Sequence, residues 1–261
     1  MRAGLSTLYL MREPFSVMVD EVERTGIRNW ELVDDGLHSL DRRRLRALKR
    51  LKESLGLDFV LHGPLGDTNI ASFSRVVRGV VVRRLLRSLE LAAELGVGLW
   101  LFHPGSFTEL AGLYRHREWS VQEESIGRIV EAARNLEIDI GIENMPAGPA
   151  RYLLVKVDQF LRFYESTVTS GVGLVLDVGH ANTVHEVDEF LEKLGPRITH
   201  IHAHDNDGSF DRHRAIGEGT IDWNIVLTGL KRAGFTGMLS VEAMRAPVES
   251  VRRLEDKISR L

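Results

Sequence analysis

Residues 173–177 read Gly-Leu-Val-Leu-Asp, an apolar run that stops at a carboxylate. A short run without polar alternation is typical of a parallel strand that is covered on both faces. A helical pattern follows at 187–194, and Gly195 stands where a left-handed residue would end that helix. The segment therefore predicts one strand–helix unit with an acidic side chain at the carboxyl end of its strand.

The same unit recurs along the whole chain. The predicted strands are 3–8, 30–33, 59–62, 99–103, 138–143, 173–177, 198–202 and 238–242. The predicted helices are 15–25, 40–55, 75–95, 121–136, 157–165, 187–194, 223–233 and 248–259. This unbroken alternation predicts an α/β protein, a single (β/α)8 TIM barrel. A doubly wound sheet is the main alternative, but the turn after the first strand lacks the glycine-rich pattern typical of that fold.

Composition sets limits on the class of protein. The 261 residues carry 43% hydrophobic and 27% charged side chains, and no linker or shift in composition divides them, so we expect one domain over residues 1–261. The chain has no cysteine, which excludes disulfides, thiolate metal sites and a cysteine nucleophile. Any metal must be held by nitrogen and oxygen.

Charge and hydropathy do not indicate nucleic acid or a membrane as a partner. A formal charge of −3 gives no overall attraction to nucleic acid or to an anionic membrane. The first apolar run is broken by Arg12, Glu13 and Pro14, and no stretch reaches the roughly 20 apolar residues that span a bilayer. We expect a cytoplasmic protein with no membrane partner, and the oligomeric state is left open.

Six predicted strands finish on a residue that can bind a metal. These residues are His62, His103, Glu143, Asp177, His202 and Glu242. Strand ends of a barrel converge on the face where active sites form. A lone histidine at such a place is more often structural, but six clustered carboxylates and imidazoles would repel or stay unpaired unless cations lay among them. The pattern predicts a metal site at the carboxyl ends of the strands.

Three further residues extend this set. His180 follows Asp177 by three positions, so we expect one loop to present both side chains. Asp211 and His213 stand two apart and would share one side of an extended segment. Beside six convergent ligands, these residues are predicted to bind metal as well.

The other five histidines are not assigned as ligands. His38, His116 and His185 lie in loop or helix-start contexts and are expected to be solvated. His200 shares the strand parity of His202 and is expected in the interior of the barrel. His204 lies just beyond the predicted strand end.

The order of these motifs resembles the xylose-isomerase-like barrel superfamily, and most of all its endonuclease IV branch, the family-2 abasic-site endonucleases. The motifs that carry the resemblance are His62-Gly63-Pro64 with Asn69-Ile70-Ala71-Ser72, His103-Pro104-Gly105, Glu143-Asn144-Met145, Leu176-Asp177-Val178-Gly179-His180, His202 with Asp205, and Asp211-Arg212-His213 followed by Gly217-Glu218-Gly219. The resemblance covers the whole chain in order. It is specific for the superfamily and much less specific for the substrate.

The endonuclease IV resemblance implies up to three zinc ions held by nine residues. The three groups are His62, His103 and Glu143; Asp177, His202 and Glu242, with Glu143 bridging from the first group; and His180, Asp211 and His213. Such a site would hydrolyse phosphoesters, with hydroxide generated from water at one metal. Imidazole and carboxylate ligands suit manganese as well as zinc.

The same superfamily contains sugar and sugar-phosphate isomerases and epimerases that use one divalent metal. That pattern would use Glu143, Asp177, His202 and Glu242. The two glutamates would then move a proton of a ketose, and they are the predicted catalytic residues. Because a single-metal reaction does not need the other five ligands, the sequence favours hydrolysis, with the isomerase or epimerase as the alternative. A non-catalytic metal- or sugar-binding barrel is a third interpretation.

The loops predicted at this face lack DNA-binding features that endonuclease IV relatives carry. Endonuclease IV relatives carry a histidine-containing segment after the first strand, where this chain has Gly4-Leu5-Ser6-Thr7. They also carry bulky wedge residues after the third strand, where the loop at 63–68 offers only Leu65. Arginines predicted on loops at this face lie at positions 42–44, 115, 117, 151, 212 and 214. We expect a phosphoester or sugar-phosphate substrate, with abasic-site DNA the poorer match.

Overall fold

The computed structural model describes residues 1–114 and 117–261. Within these residues, eight parallel strands close into a barrel in chain order. The strands are β1 (Arg2–Ser6), β2 (Asn29–Val33), β3 (Asp58–His62), β4 (Leu99–Phe102), β5 (Asp139–Glu143), β6 (Gly173–Asp177), β7 (Ile198–Ala203) and β8 (Met238–Val241). The prediction of an α/β protein with a TIM-barrel fold is confirmed.

The helices lie outside the barrel. They are α1 (Phe15–Thr25), α2 (Arg42–Leu55), α3 (Arg75–Leu95), α4 (Arg117–Asn135), α5 (Val157–Phe163), α6 (Val178–Thr183), α7 (Val187–Leu194), α8 (Trp223–Arg232) and α9 (Pro247–Ser259). In the part of the chain that the structure describes, none of them is long and apolar enough to cross a membrane.

Alternate residues along the strands face two different cores. A large apolar core, which includes Trp30, Phe59 and Trp100, packs between the strands and the helices. A small group consisting of Val60, Leu101, Val175 and Met238 forms a separate cluster. These four residues come from strands that are not all neighbours, so they meet across the inside of the barrel. The inward positions nearer the carboxyl ends are left to polar side chains.

Local predictions are wrong at several element ends, and three of these differences have a clear physical reason. The first strand stops at Ser6, whose hydroxyl accepts a hydrogen bond from the backbone of Leu8 and starts a 3-10 turn. Gly195 does not take a left-handed conformation; it lies in the right-handed region, where an added Cβ would lie 2.8 Å from Ala233. The expected loop after β6 is the short helix α6.

Candidate metal centre

All nine predicted ligands gather at the carboxyl ends of the strands. His62, Glu143, Asp177 and His202 lie within β3, β5, β6 and β7. Ligand atoms lie within 4.8 Å of one another in groups that include His62–His103–Glu143, Asp177–His202–Glu242 and His180–His204–Asp211–His213. The structure therefore brings together the three groups that the resemblance implies, and it adds His204 to the third.

Glu143 lies at the centre of the cluster. One carboxylate oxygen is 3.2 Å from Nε2 of His62 and 3.1 Å from Nε2 of His103. The other oxygen is 3.2 Å from Nδ1 of His180 and 3.3 Å from Nδ1 of His202. Burial would raise the pKa of Glu143, but the attraction of His202 and His103 holds it well below its usual range. Glu143 is therefore ionised, and its two oxygens lie close to residues of all three groups of ligands.

The pKa of Glu242 is shifted in the opposite direction from that of Glu143. Glu242 follows β8 directly, and its carboxylate lies 3.7 Å from Nδ1 of His202. Burial raises the pKa of Glu242 to about 7, although His202 opposes the shift. The centre thus contains two glutamates whose environments separate their pKa values, an arrangement that is typical of acid–base pairs.

Asp211 joins the third group of ligands. Its carboxylate oxygen lies 3.3 Å from Nε2 of His180 and 3.3 Å from Nε2 of His213. Burial would raise the pKa of Asp211, but the hydrogen bonds from these histidines hold it well below its usual range. The Asp177 side chain accepts a hydrogen bond of 2.7 Å from the backbone of His180 and caps α6, which is why a helix rather than a loop presents His180.

Backbone carbonyls orient three of the histidines. Nδ1 of His62 lies 2.8 Å from the carbonyl oxygen of Gly63. Nδ1 of His180 lies 2.8 Å from that of Asn144, and Nδ1 of His213 lies 2.9 Å from that of Glu242. A carbonyl oxygen only accepts, so each Nδ1 donates. The Nε2 atoms then face the carboxylates, and metal-binding histidines are held in this way.

Three buried atoms of the cluster have no hydrogen-bond partner among the residues that the structure describes. They are Nδ1 of His202, Nδ1 of His204 and Oδ1 of Asp211. Leaving such a group unpaired costs about 1–3 kcal/mol. A divalent cation among these atoms would pair those of His202 and Asp211, and imidazole nitrogen with carboxylate oxygen suits zinc or manganese. The donor set therefore fits a divalent metal.

His204 joins the cluster, although the sequence does not assign it. Its ring is stacked on that of His213, with centroids 3.9 Å apart and planes 18° apart. A bound metal lies in the plane of its imidazole ligand, so two parallel rings at this spacing cannot point their nitrogens at the same ion. Nε2 of His204 instead donates to the Asp177 carboxylate at 3.1 Å. His204 therefore orients a ligand in this arrangement.

Gly179 makes room for this contact. A Cβ at Gly179 would lie 2.0 Å from Cε1 of His204. Alanine usually stabilises a helix relative to glycine, but in Gly179→Ala we expect the clash to lower the free energy of unfolding by about 1–3 kcal/mol. Urea unfolding measures the change.

Gly79→Ala is the control for this substitution. Gly79 lies within α3, and its added Cβ would meet only an arginine side chain at 3.6 Å, so this variant should be as stable as the parent protein or more stable. A Gly179→Ala protein that also matched or exceeded the parent protein in stability would contradict the packing described for His204.

Other predicted positions have mixed outcomes. His38 is buried rather than solvated, and its Nε2 lies 3.1 Å from the carbonyl oxygen of Glu13. His185 is exposed as expected. Arg212 and Arg214 both lie within 4 Å of Asp207. Two further predictions, on residues 115 and 116, fall outside the described residues.

Glu31 is a buried member of the site that the motif pattern does not single out. It lies in the middle of β2, and its carboxylate contacts both His200 and His202. His200 lies inside the barrel, as its parity predicts. The available sequence signal is a carboxylate at an inward position of the short strand Asn-Trp-Glu-Leu-Val.

Comparisons with known proteins cover almost the whole chain. A family model described as xylose isomerase-like TIM barrel matches residues 19–260. The crystal structure of a D-tagatose 3-epimerase-like protein has a TM-score of 0.93 and 32% sequence identity, and the match covers 99% of this chain and 97% of that one. Fructoselysine 3-epimerase of Escherichia coli O157:H7 is 21% identical, over 93% of this chain and 90% of its own length.

A relative from the hydrolytic branch matches less of the chain. The probable endonuclease 4 of Mycobacterium leprae is 25% identical over 201 residues, which cover 73% of this chain and 75% of that protein. The family model matches nearly all of the barrel, and this match assigns the chain to a family. The chain belongs to the xylose isomerase-like TIM barrel family, with relatives among both endonuclease 4 and sugar epimerases.

Proposed function

We propose that this protein is a metal-dependent epimerase or isomerase of a ketose or ketose phosphate. The observation that carries the proposal is the pair of buried glutamates beside His202. Nδ1 of His202 lies 3.3 Å from Glu143 and 3.7 Å from Glu242, so both carboxylates reach the same space. This proposal reverses the preference for hydrolysis that the ligand set alone suggests.

The comparisons support the reversal. The similar structure at 32% identity is named as a 3-epimerase-like protein, and fructoselysine 3-epimerase matches more of the chain than endonuclease 4 does. These similarities favour a sugar or sugar phosphate as the substrate and give no support to DNA.

The two glutamates suit the proton transfers of this chemistry. Epimerisation next to a carbonyl removes a proton from one face of a carbon and returns one to the opposite face, which requires two acid–base groups. Glu143 is ionised and able to accept a proton, and in the metal-free centre burial raises the pKa of Glu242 to about 7, so Glu242 exchanges a proton more readily than an exposed glutamate near neutral pH. A divalent metal held by the two glutamates, Asp177 and His202 would polarise adjacent substrate oxygens and acidify the carbon-bound hydrogen.

Access to the centre favours a small substrate. The side chains of Glu143 and Glu242 are 2% and 6% exposed, whereas those of His103, Asp211 and His213 are 16%, 21% and 20% exposed. The proton-transfer residues therefore lie below a rim of partly open ligands. A single sugar can enter such a recess more readily than a nucleotide within a duplex.

Deuterium exchange tests the proposal with a panel of candidate sugars, so the ketose need not be identified first. The metal-loaded protein is incubated in D2O with ketoses and ketose phosphates, and NMR follows the carbon next to the carbonyl. We expect deuterium to enter that position as the epimer or isomer forms. If no member of the panel exchanges while phosphoesters are hydrolysed, the proposal is wrong.

Glu242→Gln tests the role of the second glutamate. Glutamine keeps the size and a metal-binding oxygen but cannot donate the carboxyl proton, so the exchange rate should fall by about 10²–10⁴-fold. Glu189→Gln is the control, because Glu189 is on α7 and pairs with Lys193. Equal loss in both variants, or full activity in Glu242→Gln, would rule out this assignment.

A multinuclear phosphoesterase is the second candidate. The specific observation in its favour is the His180–Asp211–His213 group, which a single metal at the four-residue set would not require. Hydrolysis of an activated phosphodiester, and EDTA-sensitive nicking of a duplex with one abasic site, test this candidate directly.

A further inference from the structure

Glu31 forms a buried hydrogen-bond network below the candidate metal centre. Its side chain is fully buried, and one carboxylate oxygen lies 2.8 Å from Nε2 of His200 and 3.0 Å from Nε2 of His202. The other oxygen accepts a hydrogen bond of 3.2 Å from the hydroxyl of Ser6. An ionised carboxylate only accepts, so both imidazoles donate through Nε2.

This network determines how His202 presents its second nitrogen. With Nε2 donating to Glu31, Nδ1 is the ring nitrogen that faces the centre. Nδ1 lies 3.3 Å from Glu143, 3.7 Å from Glu242 and 3.9 Å from Asp177, and it has no hydrogen-bond partner among the described residues. The ring orientation therefore suits a metal ligand that binds through Nδ1.

His202 differs in this respect from the other oriented histidines. Backbone carbonyls hold the rings of His62, His180 and His213, whereas a side-chain carboxylate holds His202. A carboxylate partner fixes the imidazole and also makes it a stronger ligand. The partner is also a residue that substitution can remove, unlike a backbone carbonyl.

A purely structural role does not account for Glu31. An apolar residue would fill this interior position without the cost of burying a charge, and replacing buried ionic groups by apolar ones is often neutral or stabilising. Val60, its register partner on β3, is such a residue. The carboxylate is therefore explained by what it does to the histidines.

We propose that Glu31 is a positioning residue, which holds His202 so that its Nδ1 binds the divalent metal of the centre. The inference rests on the metal centre assigned under the proposed function. It adds a fifth side chain to the four that hold the ion, and this side chain acts only through His202.

Metal binding by the purified protein tests the inference without an activity assay. Glu31→Gln, Glu31→Ala and His202→Ala are titrated with zinc in competition with a chromogenic chelator, and the visible spectra of the cobalt-loaded proteins are compared. The relevant ion is the one whose binding is lost in His202→Ala. We expect both Glu31 variants to bind that ion about 10- to 100-fold more weakly and to have an altered cobalt spectrum.

Leu32→Ala is the matched control. Leu32 is the next residue of β2, faces the outer core, and is buried, so its truncation destabilises the barrel without contacting the centre. It should bind the ion with the affinity of the parent protein. Weakening of the same size in Leu32→Ala would show that general destabilisation explains the effect, and the inference would fail.

The remaining outcomes separate the two proposals. If His202→Ala loses the ion but both Glu31 variants bind it normally, Glu31 has no positioning role, while the metal centre stands. If His202→Ala binds zinc as tightly as the parent protein does, the assignment of the metal centre is wrong, and the inference about Glu31 is wrong with it. Should the Glu31 variants not fold, long-range proton–nitrogen spectra of the zinc-loaded parent protein decide, since a proton on Nδ1 of His202 overturns the inference.

Discussion

Glu143→Gln should reduce turnover by about a thousandfold or more, because the substitution removes both a proton acceptor and a metal ligand. Glu143 lies within 3.3 Å of a ring nitrogen on each of four histidines. A neutral amide cannot accept a proton, and it is a weaker ligand for a cation than the carboxylate that lies between the two groups of ligands. Steady-state rates with the ketose that exchanges deuterium, together with zinc content by elemental analysis, measure both losses.

Asp139→Asn is the control for this prediction. Asp139 lies at the opposite end of β5 and is exposed, so the same change of charge at that end should leave the rate and the metal content intact. Circular dichroism and thermal unfolding would show whether Glu143→Gln is folded. A folded Glu143→Gln protein with full activity would remove Glu143 from the mechanism under either candidate function.

Much of the fold follows from local pattern. Apolar runs that end on a ligand mark β3, β5 and β6, because a barrel strand is buried on both faces until it reaches the open end. His103 and Glu242 lie one residue after their strands, yet they still reach the centre, since the strand ends converge. Local sequence is sufficient to predict these positions.

The contacts of Glu31 and His204 depend on tertiary structure instead. Glu31 meets His202 across the barrel, from a strand 171 residues away in sequence, and no local periodicity encodes that pairing. His204 acquires its role from the close approach of Gly179. Helix α6 has only six residues, too few for a periodic pattern, and its first turn is capped by the Asp177 side chain.

The choice of reaction was the hardest property to predict. Four residues are sufficient for a single-metal isomerase, and the nine of the hydrolytic pattern include those four. A larger ligand set therefore favours hydrolysis without excluding proton transfer. The relative placement of Glu143 and Glu242, and the opposite shifts of their pKa values, appear only once the strands are assembled.

Removing metal with a chelator should abolish activity and lower thermal stability. An ion that binds only the folded state adds about 4 kcal/mol at a free concentration a thousand times its Kd. For a chain of 261 residues, each kcal/mol shifts Tm by roughly 2–4 °C, so one ion should raise Tm by roughly 8–16 °C. Calorimetry of the stripped and zinc-restored protein measures the shift, and an unchanged Tm would contradict a metal within this buried cluster.

The number of ions bound per chain, taken together with deuterium exchange, then bears on both the reaction and the charge of the substrate. One ion that is lost in His202→Ala but retained in His213→Ala agrees with the four-residue site of an epimerase. Three ions, of which His213→Ala loses one, would mean that the His180–Asp211–His213 group is also filled. Because a filled third group places positive charge at the exposed rim, it would favour an anionic substrate. A count of three together with deuterium exchange would therefore point to a ketose phosphate rather than to an uncharged ketose.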